Sequence, residues 1–175
     1  MPSAPQATAE LRLYGDAVLR RSCREVRDGE DVSGLAARML TIMRQHSGVG
    51  LAAPQIGDPR RVIAISDPGG GTAPLILVNP RLKATFGPEV GFEEGCLSFP
   101  ELFVTVTRPR GAEASYRDLE GRERCLRDEG VLARVLQHEL DHLEGVLFID
   151  RLPWWRRWLL TRRLRDLRRR GEEAA

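Results

Sequence analysis

The chain has 175 residues, a length that suits one domain with a buried core. Hydrophobic residues make up 42% and charged residues 30%, which are ordinary values for a globular protein and argue against a disordered or fibrous class. No apolar run approaches the ~18 residues of a membrane span, and the segment 1–10 reads as neither a secretory signal nor a transit peptide. We expect residues 1–10 to form a flexible N-terminal tail.

Charge and cysteine are distributed in an informative way. The formal net charge is +2, yet residues 151–175 hold nine basic and three acidic side chains, so this segment is strongly basic and the rest is slightly acidic. The three cysteines, Cys23, Cys96 and Cys125, are an odd number at wide spacing. They favour free thiols in a reducing cytoplasm over a disulfide framework, and they leave at least one thiol available for chemistry.

The predicted elements begin with a helix and continue with many strands. Apolar residues recur at helical spacing from Leu35 to Met43 after a capping Ser33, which predicts a helix over about 32–46. Short β-rich runs then predict separate strands, with a turn cluster at 67–71 and a hairpin turn at 119–122. These strands are expected at 61–66, 75–80, 81–86, 89–93, 103–107, 111–117 and 122–127.

The pattern returns to a helical period at Glu129 and keeps it until Gly145, which is a typical residue to end a helix. The next segment, 146–150, is predicted to be extended, and Pro153 opens a last, basic helix. This order indicates an α+β fold. In it a central helix packs against antiparallel or mixed sheets, with an N-terminal helix and a basic C-terminal helix.

The second predicted helix carries QHELDH (137–142). His138 and His142 lie about 40° apart around a helix, so both rings can reach one ion, and Glu139 lies roughly 100° away, beside them. A carboxylate in that position can accept a proton from an activated water, as in His-Glu-x-x-His hydrolases. The same pattern also arises by chance on helices, so the third ligand decides whether this is a metal site.

The third ligands of the protease families are missing. Phe148 stands where the long metzincin signature needs a histidine, and the only downstream acids lie in or beyond an arginine-rich helix. His46 falls at a predicted helix end, where a surface role suits it better than ligation. An upstream cysteine remains. Cys96, within EEGCLSFP, is favoured over the other two thiols, which lie in polar strand or loop contexts.

Three segments together resemble the motifs of peptide deformylases. GVGLAAPQ (48–55), EGCLS (94–98) and QHELDH (137–142) match that family in residue type, order and approximate spacing, and 11–20 is similar to its usual start. The resemblance covers about 13–150. It implies a metal-dependent hydrolase of the bacterial cytoplasm that removes the formyl group from the initiator methionine of nascent polypeptides and releases formate.

The resemblance also implies a metal and its ligands. Cys96, His138 and His142 would hold one divalent ion per chain, most typically Fe(2+), with Zn(2+), Ni(2+) or Co(2+) as substitutes. The ligand types alone suit zinc at least as well as iron.

Catalytic roles follow from the same resemblance. Glu139 would take a proton from the activated water and pass it to the leaving amine. The side chain of Gln55 and the backbone N–H of Leu97 would donate hydrogen bonds to the oxyanion.

Substrate contacts are expected along one segment and in one slot. An extended peptide can pair with the strand that contains Gly50, where a missing side chain permits close approach. The methionine side chain needs an apolar slot, although the same residues could equally be plain core. The slot is predicted to be lined by Val49, Phe92, Val131 and Val135.

Three further residues complete the predicted site. Glu94 is placed in the substrate-binding set, and it can also hold hydrogen bonds behind the ligands. Arg134 is expected either to reach the substrate backbone or to face solvent. Asp141 is either a support for the ligands or a solvated helix charge. At one point the chain departs from the family pattern, because Leu102 and Phe103 stand where some relatives place a basic residue near the substrate.

The C-terminal segment carries a separate question. We expect residues 11–152 to form the catalytic domain and 153–175 to form a basic helix and tail of the same domain. In 153–170 three tryptophans and several leucines alternate with arginines. The apolar residues can pack on the domain, the arginines can dock on ribosomal RNA as the resemblance implies, or the helix can lie on a membrane surface. Ribosome docking fits the function best, membrane contact is the least favoured, and DNA is not expected as a partner.

Two other functions stay open from the sequence alone. A zincin-type metalloprotease shares the helix motif but needs a third histidine or glutamate that the chain lacks. A non-catalytic binding module would keep the metal and lose turnover, and the intact Gln55 and Glu139 argue against it.

Overall fold

The computed structural model describes residues 11–67 and 73–173, so the predicted tail at 1–10 and most of the predicted turn at 67–71 lie outside the described residues. Five strands form one antiparallel sheet in the order β1-β2-β3-β4-β5. The strands are β1 Gly50–Ala52, β2 Val62–Ile65, β3 Leu75–Cys96, β4 Phe99–Arg117 and β5 Glu123–Glu129. The α-helices are α1 Ser33–Gln45, α2 Val131–Leu143, α3 Trp154–Leu159 and α4 Thr161–Glu173. The predicted α+β class is confirmed.

The middle of the sheet differs from the prediction of separate short strands. β3 and β4 are continuous, and the expected breaks are irregularities in their pairing, for example between Val78 and Arg81 and between Phe86 and Glu89. Asn79 and Gly87 adopt positive φ at these points. A bulge inserts a residue without ending the strand, so signals for turns and for bulges look the same in a sequence.

The central helix α2 begins and ends with specific caps. The carboxylate of Asp128 accepts the N–H of Ala133 at 3.0 Å, which satisfies a free donor of the first turn. At the other end Gly145 has φ of +70°, and the N–H of Val146 reaches the carbonyl of Asp141 at 2.9 Å. This is a Schellman ending, and it confirms the predicted role of Gly145.

The chain after α2 departs twice from expectation. The segment predicted to be extended ends in a 3₁₀ helix, Phe148–Arg151, because the carboxylate of Asp150 accepts the N–H of Leu147 at 2.9 Å. The predicted single basic helix is broken near Leu160 into α3 and α4. None of the helices in the described part of the chain has the length and apolar character that crossing a bilayer requires.

The core places α2 at the centre of the molecule. One face of α2 packs on the sheet through Ala133, Leu136, Leu140 and Leu143, which are buried together with inward-facing residues of β2, β3 and β4. Every α2 residue from 133 to 143 is buried, including its polar ones. A helix buried on all sides must find internal partners for its charged groups, and these partners form the site described next.

Candidate metal site and cavity

Two distant segments bring three metal-ligating side chains together. Cys96 ends β3, and His138 and His142 lie one turn apart on α2. One ligand atom of each lies within 4.8 Å of the others, and Cys96 Sγ is 3.3 Å from His142 Nε2. The three residues predicted from the sequence therefore form a group that could hold a metal ion.

The tight turn between β3 and β4 places Cys96 next to the two histidines of α2. The β3–β4 register shifts between Gly95 and Cys96, so that Cys96 pairs with Phe99 across a two-residue turn. Phe99 is buried, and its ring lies 4.6 Å from that of Tyr14 and 5.0 Å from that of Phe148. The turn that carries the thiol is thus anchored in the core.

A carboxylate behind the cluster orients one imidazole. Glu94 Oε2 lies 3.0 Å from His138 Nδ1, which leaves Nε2 of that ring for the cluster. Arg108 donates to both oxygens of Glu94, at 2.8 and 3.1 Å. Burial alone would raise the pKa of Glu94, but the bonds to His138 and Arg108 lower it to about 2. Glu94 therefore orients His138, and its oxygens are occupied by protein donors.

The same support extends through a buried chain of charges. Arg108 also donates to Asp141 at 2.7 Å, and Asp141 accepts from Arg151 Nε at 3.1 Å. Asp141 is thus part of the support and not a solvated helix charge. Sequence reasoning missed Arg108 and Arg151, because nothing in a linear pattern pairs a strand arginine with a helix two segments away.

Arg134 does not face solvent. Its guanidinium donates to Glu94 at 3.1 Å and to the carbonyls of Val90 and Val106 at 2.6 and 3.1 Å. These bonds tie α2 to β3 and β4 from the wall of the cavity. The solvated alternative for Arg134 is wrong, because buried strand carbonyls at a bulged hairpin need donors. Arg134 also lines the cavity, so its contact with the substrate backbone stays a prediction.

Glu139 is buried beside the cluster without a full set of partners. Its side chain is 4% exposed, and Oε2 has no hydrogen-bond partner among the described residues. Burial raises the pKa of Glu139 to about 7. An orphaned carboxylate oxygen next to two imidazoles and a thiol fits a site that receives a metal ion and its water.

The two imidazoles differ in their affinity for a proton. Burial lowers the pKa of His138, but hydrogen bonds to Cys96 and Glu94 outweigh burial and raise it to about 10. The pKa of His142 lies well below its ordinary value, because the ring is buried and faces His138.

Gln55 points its amide nitrogen at the cluster. The N–H of Ala52 donates to Gln55 Oε1 at 2.8 Å, which fixes the amide orientation. Gln55 Nε2 then lies 3.4 Å from Cys96 Sγ and 3.1 Å from Ser98 Oγ. A short 3₁₀ helix, Ala53–Ile56, holds the residue, which is 1% exposed. Sequence reasoning found Gln55 but not its partner Ser98.

A cavity of about 640 Å³ opens over the cluster. Of the predicted slot residues, Val49, Phe92 and Val131 are 37%, 52% and 48% exposed, so they are not core residues, whereas Val135 is buried. All four line the cavity, together with Gly50, Gln55, Glu94, Leu97, Arg134 and Glu139.

Gly50 has a structural reason that the sequence did not indicate, while the predicted close approach of a peptide backbone stays a prediction. A Cβ on Gly50 would lie 2.4 Å from Glu139 Oε1 and 2.6 Å from a methyl carbon of Val135. The missing side chain makes room for residues of α2. The backbone of Gly50 nevertheless lies in β1, an edge strand of the sheet.

Fold and site together define an α+β protein with a Cys/His/His cluster and a buried carboxylate under an apolar cavity. The family model described as polypeptide deformylase matches residues 8–158. A peptide deformylase from Picosynechococcus is 46% identical over 147 residues, which is 82% of this chain and 78% of that protein. The chain therefore belongs to the polypeptide deformylase family, and it is an enzyme of that family.

Solved structures agree with this assignment. A peptide deformylase from Thermus thermophilus superposes with a TM-score of 0.86 at 41% identity, covering 94% of this chain and 97% of the other. One from Synechococcus elongatus, solved in complex with actinonin, gives 0.81 at 37% identity and covers 95% and 88%.

Proposed function

We propose that this enzyme uses a divalent metal ion to remove the N-formyl group from the initiator methionine of nascent polypeptides, releasing formate. The observation that carries the proposal is the unpartnered Oε2 of Glu139 beside the Cys96, His138 and His142 cluster at the floor of an apolar cavity. Family membership supports the substrate class.

The metal we propose is Fe(2+), held by Cys96, His138 and His142, with Zn(2+), Ni(2+) or Co(2+) able to replace it. The iron assignment rests on the family resemblance, since the donor set suits zinc as well. When bound, such a cation would activate water near neutral pH and polarise the formyl oxygen.

The remaining chemistry falls to residues of the chain. Glu139 holds the proton taken from water on its buried carboxylate and passes it to the amine that leaves. A carboxyl whose pKa lies at about 7 is suited to both halves of that transfer near neutral pH. Gln55 Nε2 and the backbone N–H of Leu97 donate to the oxyanion that develops on the formyl oxygen.

The peptide would lie along the edge strand β1. An extended chain that pairs with the backbone at Val49 and Gly50 gains affinity without a sequence requirement. The methionine side chain would enter the slot lined by Val49, Phe92, Val131 and Val135. Three of these are too exposed to be explained by core packing, which supports the slot.

Ribosome docking is a further part of the proposal. Arg162, Arg165 and Arg169 are exposed on α4, while Leu164 and Leu167 pack on the domain. Exposed arginines suit RNA phosphate. Because deleting the segment would also remove core residues, the test is the triple replacement of these arginines by glutamine. A smaller fraction of this variant than of the parent should co-sediment with ribosomes at low salt, while its hydrolysis of free peptides persists. An unchanged co-sedimenting fraction would refute the proposed docking on the ribosome.

The decisive experiment combines metal analysis and formate release on one anaerobically purified sample. We expect about one metal ion per chain and formate from formyl-methionyl peptides, with no cleavage of unblocked peptides. Hydrolysis of internal bonds in the unblocked peptides would favour the metalloprotease alternative. Bound metal without formate would favour a binding module.

A further inference from the structure

Helix α3 turns its apolar side toward solvent. Four of its six side chains are apolar, and they fill one sector of the helix that is about 140° wide. They are Trp154, Trp155, Trp158 and Leu159. Trp154, Trp158 and Leu159 are 80%, 69% and 66% exposed, and no residue of α3 is buried. A surface helix of a globular protein ordinarily turns such a sector toward the core.

The arginines of α3 hold its other side against the domain. Arg156 donates to the carbonyl of Thr105 at 3.3 Å, and the guanidinium of Arg157 lies 3.3 Å from the carboxylate of Asp150. Leu160, which follows the helix, packs against a core cluster of the domain. These contacts fix which side of α3 faces outward, and the apolar sector is left without a partner in the described part of the chain.

The chain around this apolar sector carries basic charge. Residues 151–165 hold six arginines and no acidic residue. Arg162 and Arg165 are exposed on α4, and neither has a hydrogen-bond or ion-pair partner among the residues that the structure describes. Free guanidinium groups beside exposed apolar side chains complement a surface that is anionic and has an apolar interior.

An anionic membrane surface matches both features, whereas RNA matches one. Arginine binds the phosphates of lipids and of RNA alike. Tryptophan and leucine gain free energy by leaving water for the boundary between headgroups and acyl chains, and tryptophan is typical of that boundary. RNA offers a tryptophan a base to stack on only where its strands are open, and it offers a leucine no apolar phase.

We propose that α3 binds the surface of an anionic lipid membrane. Trp154, Trp158 and Leu159 enter the boundary between headgroups and acyl chains, and Arg162 and Arg165 contact lipid phosphates. A helix of six residues lies in the plane of the interface and does not span it. From the sequence, membrane contact was the least favoured alternative, and the outward direction of the apolar sector is the finding that favours it. Membrane binding of this kind is independent of the proposed deformylation.

Tryptophan fluorescence tests the proposal directly, because the three tryptophans of the chain all lie on α3. The full-length enzyme is mixed with vesicles of phosphatidylcholine, or of phosphatidylcholine with about one third phosphatidylglycerol. With the anionic vesicles we expect a blue shift of the emission and quenching by lipids brominated on their acyl chains. Neutral vesicles should bind roughly tenfold or more weakly, and added salt should weaken binding to the anionic ones.

Two double variants separate the apolar sector from general surface effects. Trp154→Gln with Trp158→Gln keeps Trp155 as a reporter and should lower the affinity for anionic vesicles roughly tenfold or more. Leu82→Gln with Leu119→Gln removes two exposed apolar side chains elsewhere and should leave that affinity unchanged. Both variants should keep the parental urea midpoint and the parental kcat/KM on free peptides, because none of the replaced side chains is buried or lines the cavity.

The outcomes that contradict membrane binding are distinct. Emission that does not shift with anionic vesicles would overturn the proposal, and so would equal vesicle affinities of the parent and the double tryptophan variant. A blue shift with ribosomes but not with vesicles would assign the surface to the ribosome and would also overturn it. Loss of vesicle binding by the double tryptophan variant, with its ribosome co-sedimentation unchanged, would support the proposal.

Discussion

The carboxylate of Glu139 occupies the space that a side chain on Gly50 would fill. The built Cβ lies 2.4 Å from Glu139 Oε1 and 3.0 Å from its Cδ. Gly50 in the edge strand β1 therefore permits the observed position of the Glu139 carboxylate, the proposed proton carrier of α2. The colliding atoms are the ends of side chains and not backbone, so a substitution here would displace Glu139 before it disturbed the fold.

Replacement of Gly50 by alanine should therefore affect turnover more than stability. We expect kcat for formate release to fall roughly 100-fold, the usual cost of about 1 Å of misplacement in a reacting group. Gly34→Ala is the matched control, because nothing lies within 4 Å of its built Cβ. A Gly50→Ala enzyme with parental kcat would show that Glu139 has an equally productive second position.

Replacement of Glu139 by alanine should separate binding of the metal from turnover. Glu139 is not one of the three grouped ligands, so metal content should stay near that of the parent. Loss of a general acid and base typically costs about 10²- to 10⁴-fold in rate. Metal analysis and formate release on the same preparation measure both effects, with Glu172→Gln as the exposed control. Normal deformylation by Glu139→Ala would show that another group moves the proton.

Arg108 should be a strong determinant of stability. Its guanidinium is 4% exposed and binds both Glu94 and Asp141. Arg108→Met would leave two buried carboxylates short of a partner, and such a loss costs about 3–5 kcal/mol of unfolding free energy. Urea denaturation measures it. Arg81→Met, which breaks the exposed pair with Glu25, should leave the midpoint unchanged. Equal effects of the two substitutions would mean that the buried network adds no stability.

The three thiols should differ in their reactivity with alkylating agents. Cys125 is exposed and should react at once, whereas burial raises the pKa of Cys23 to about 11 and should protect it until unfolding. Cys96 should be protected only while a metal is bound. Mass spectrometry should count one modified thiol in loaded enzyme, two after chelation and three in denaturant. Rapid labelling of Cys96 in loaded enzyme would contradict its role as a ligand.

The sequence predicted the cluster of Cys96, His138 and His142 because helical spacing and short motifs, which can be recognised without knowing the fold, identify its members. His138 and His142 are one helical turn apart, so a regular helix alone places them together. Cys96 was found because the other candidate third ligands could be eliminated and because EGCLS resembles a family motif. The predicted helices 32–46 and 129–145 are close to α1 and α2, since both have clear apolar periods and recognisable ends.

What the sequence did not predict depends on contacts between distant segments. In the sequence, the charge of Arg108 suggests a solvent-exposed strand residue. Only the fold shows that its side chain is buried against Glu94 and Asp141. The continuity of β3 was missed because Asn79 and Gly87 look like strand ends. The outward direction of Trp154 and Trp158, which are 80% and 69% exposed, also differs from a simple apolar stripe that packs on the domain.

The charge chain behind His138 has a practical consequence for protein engineering. It runs from Glu94 through Arg108 and Asp141 to Arg151, and Arg151 already belongs to the 3₁₀ turn that leads out to α3. Arg151 therefore connects the C-terminal segment, α3 and α4, to the charged residues that support His138. A chimera that exchanges the C-terminal segment with that of another protein should therefore be joined after Arg151. An earlier junction would remove Arg151 from Asp141 and weaken the support of His138, the imidazole that Glu94 orients.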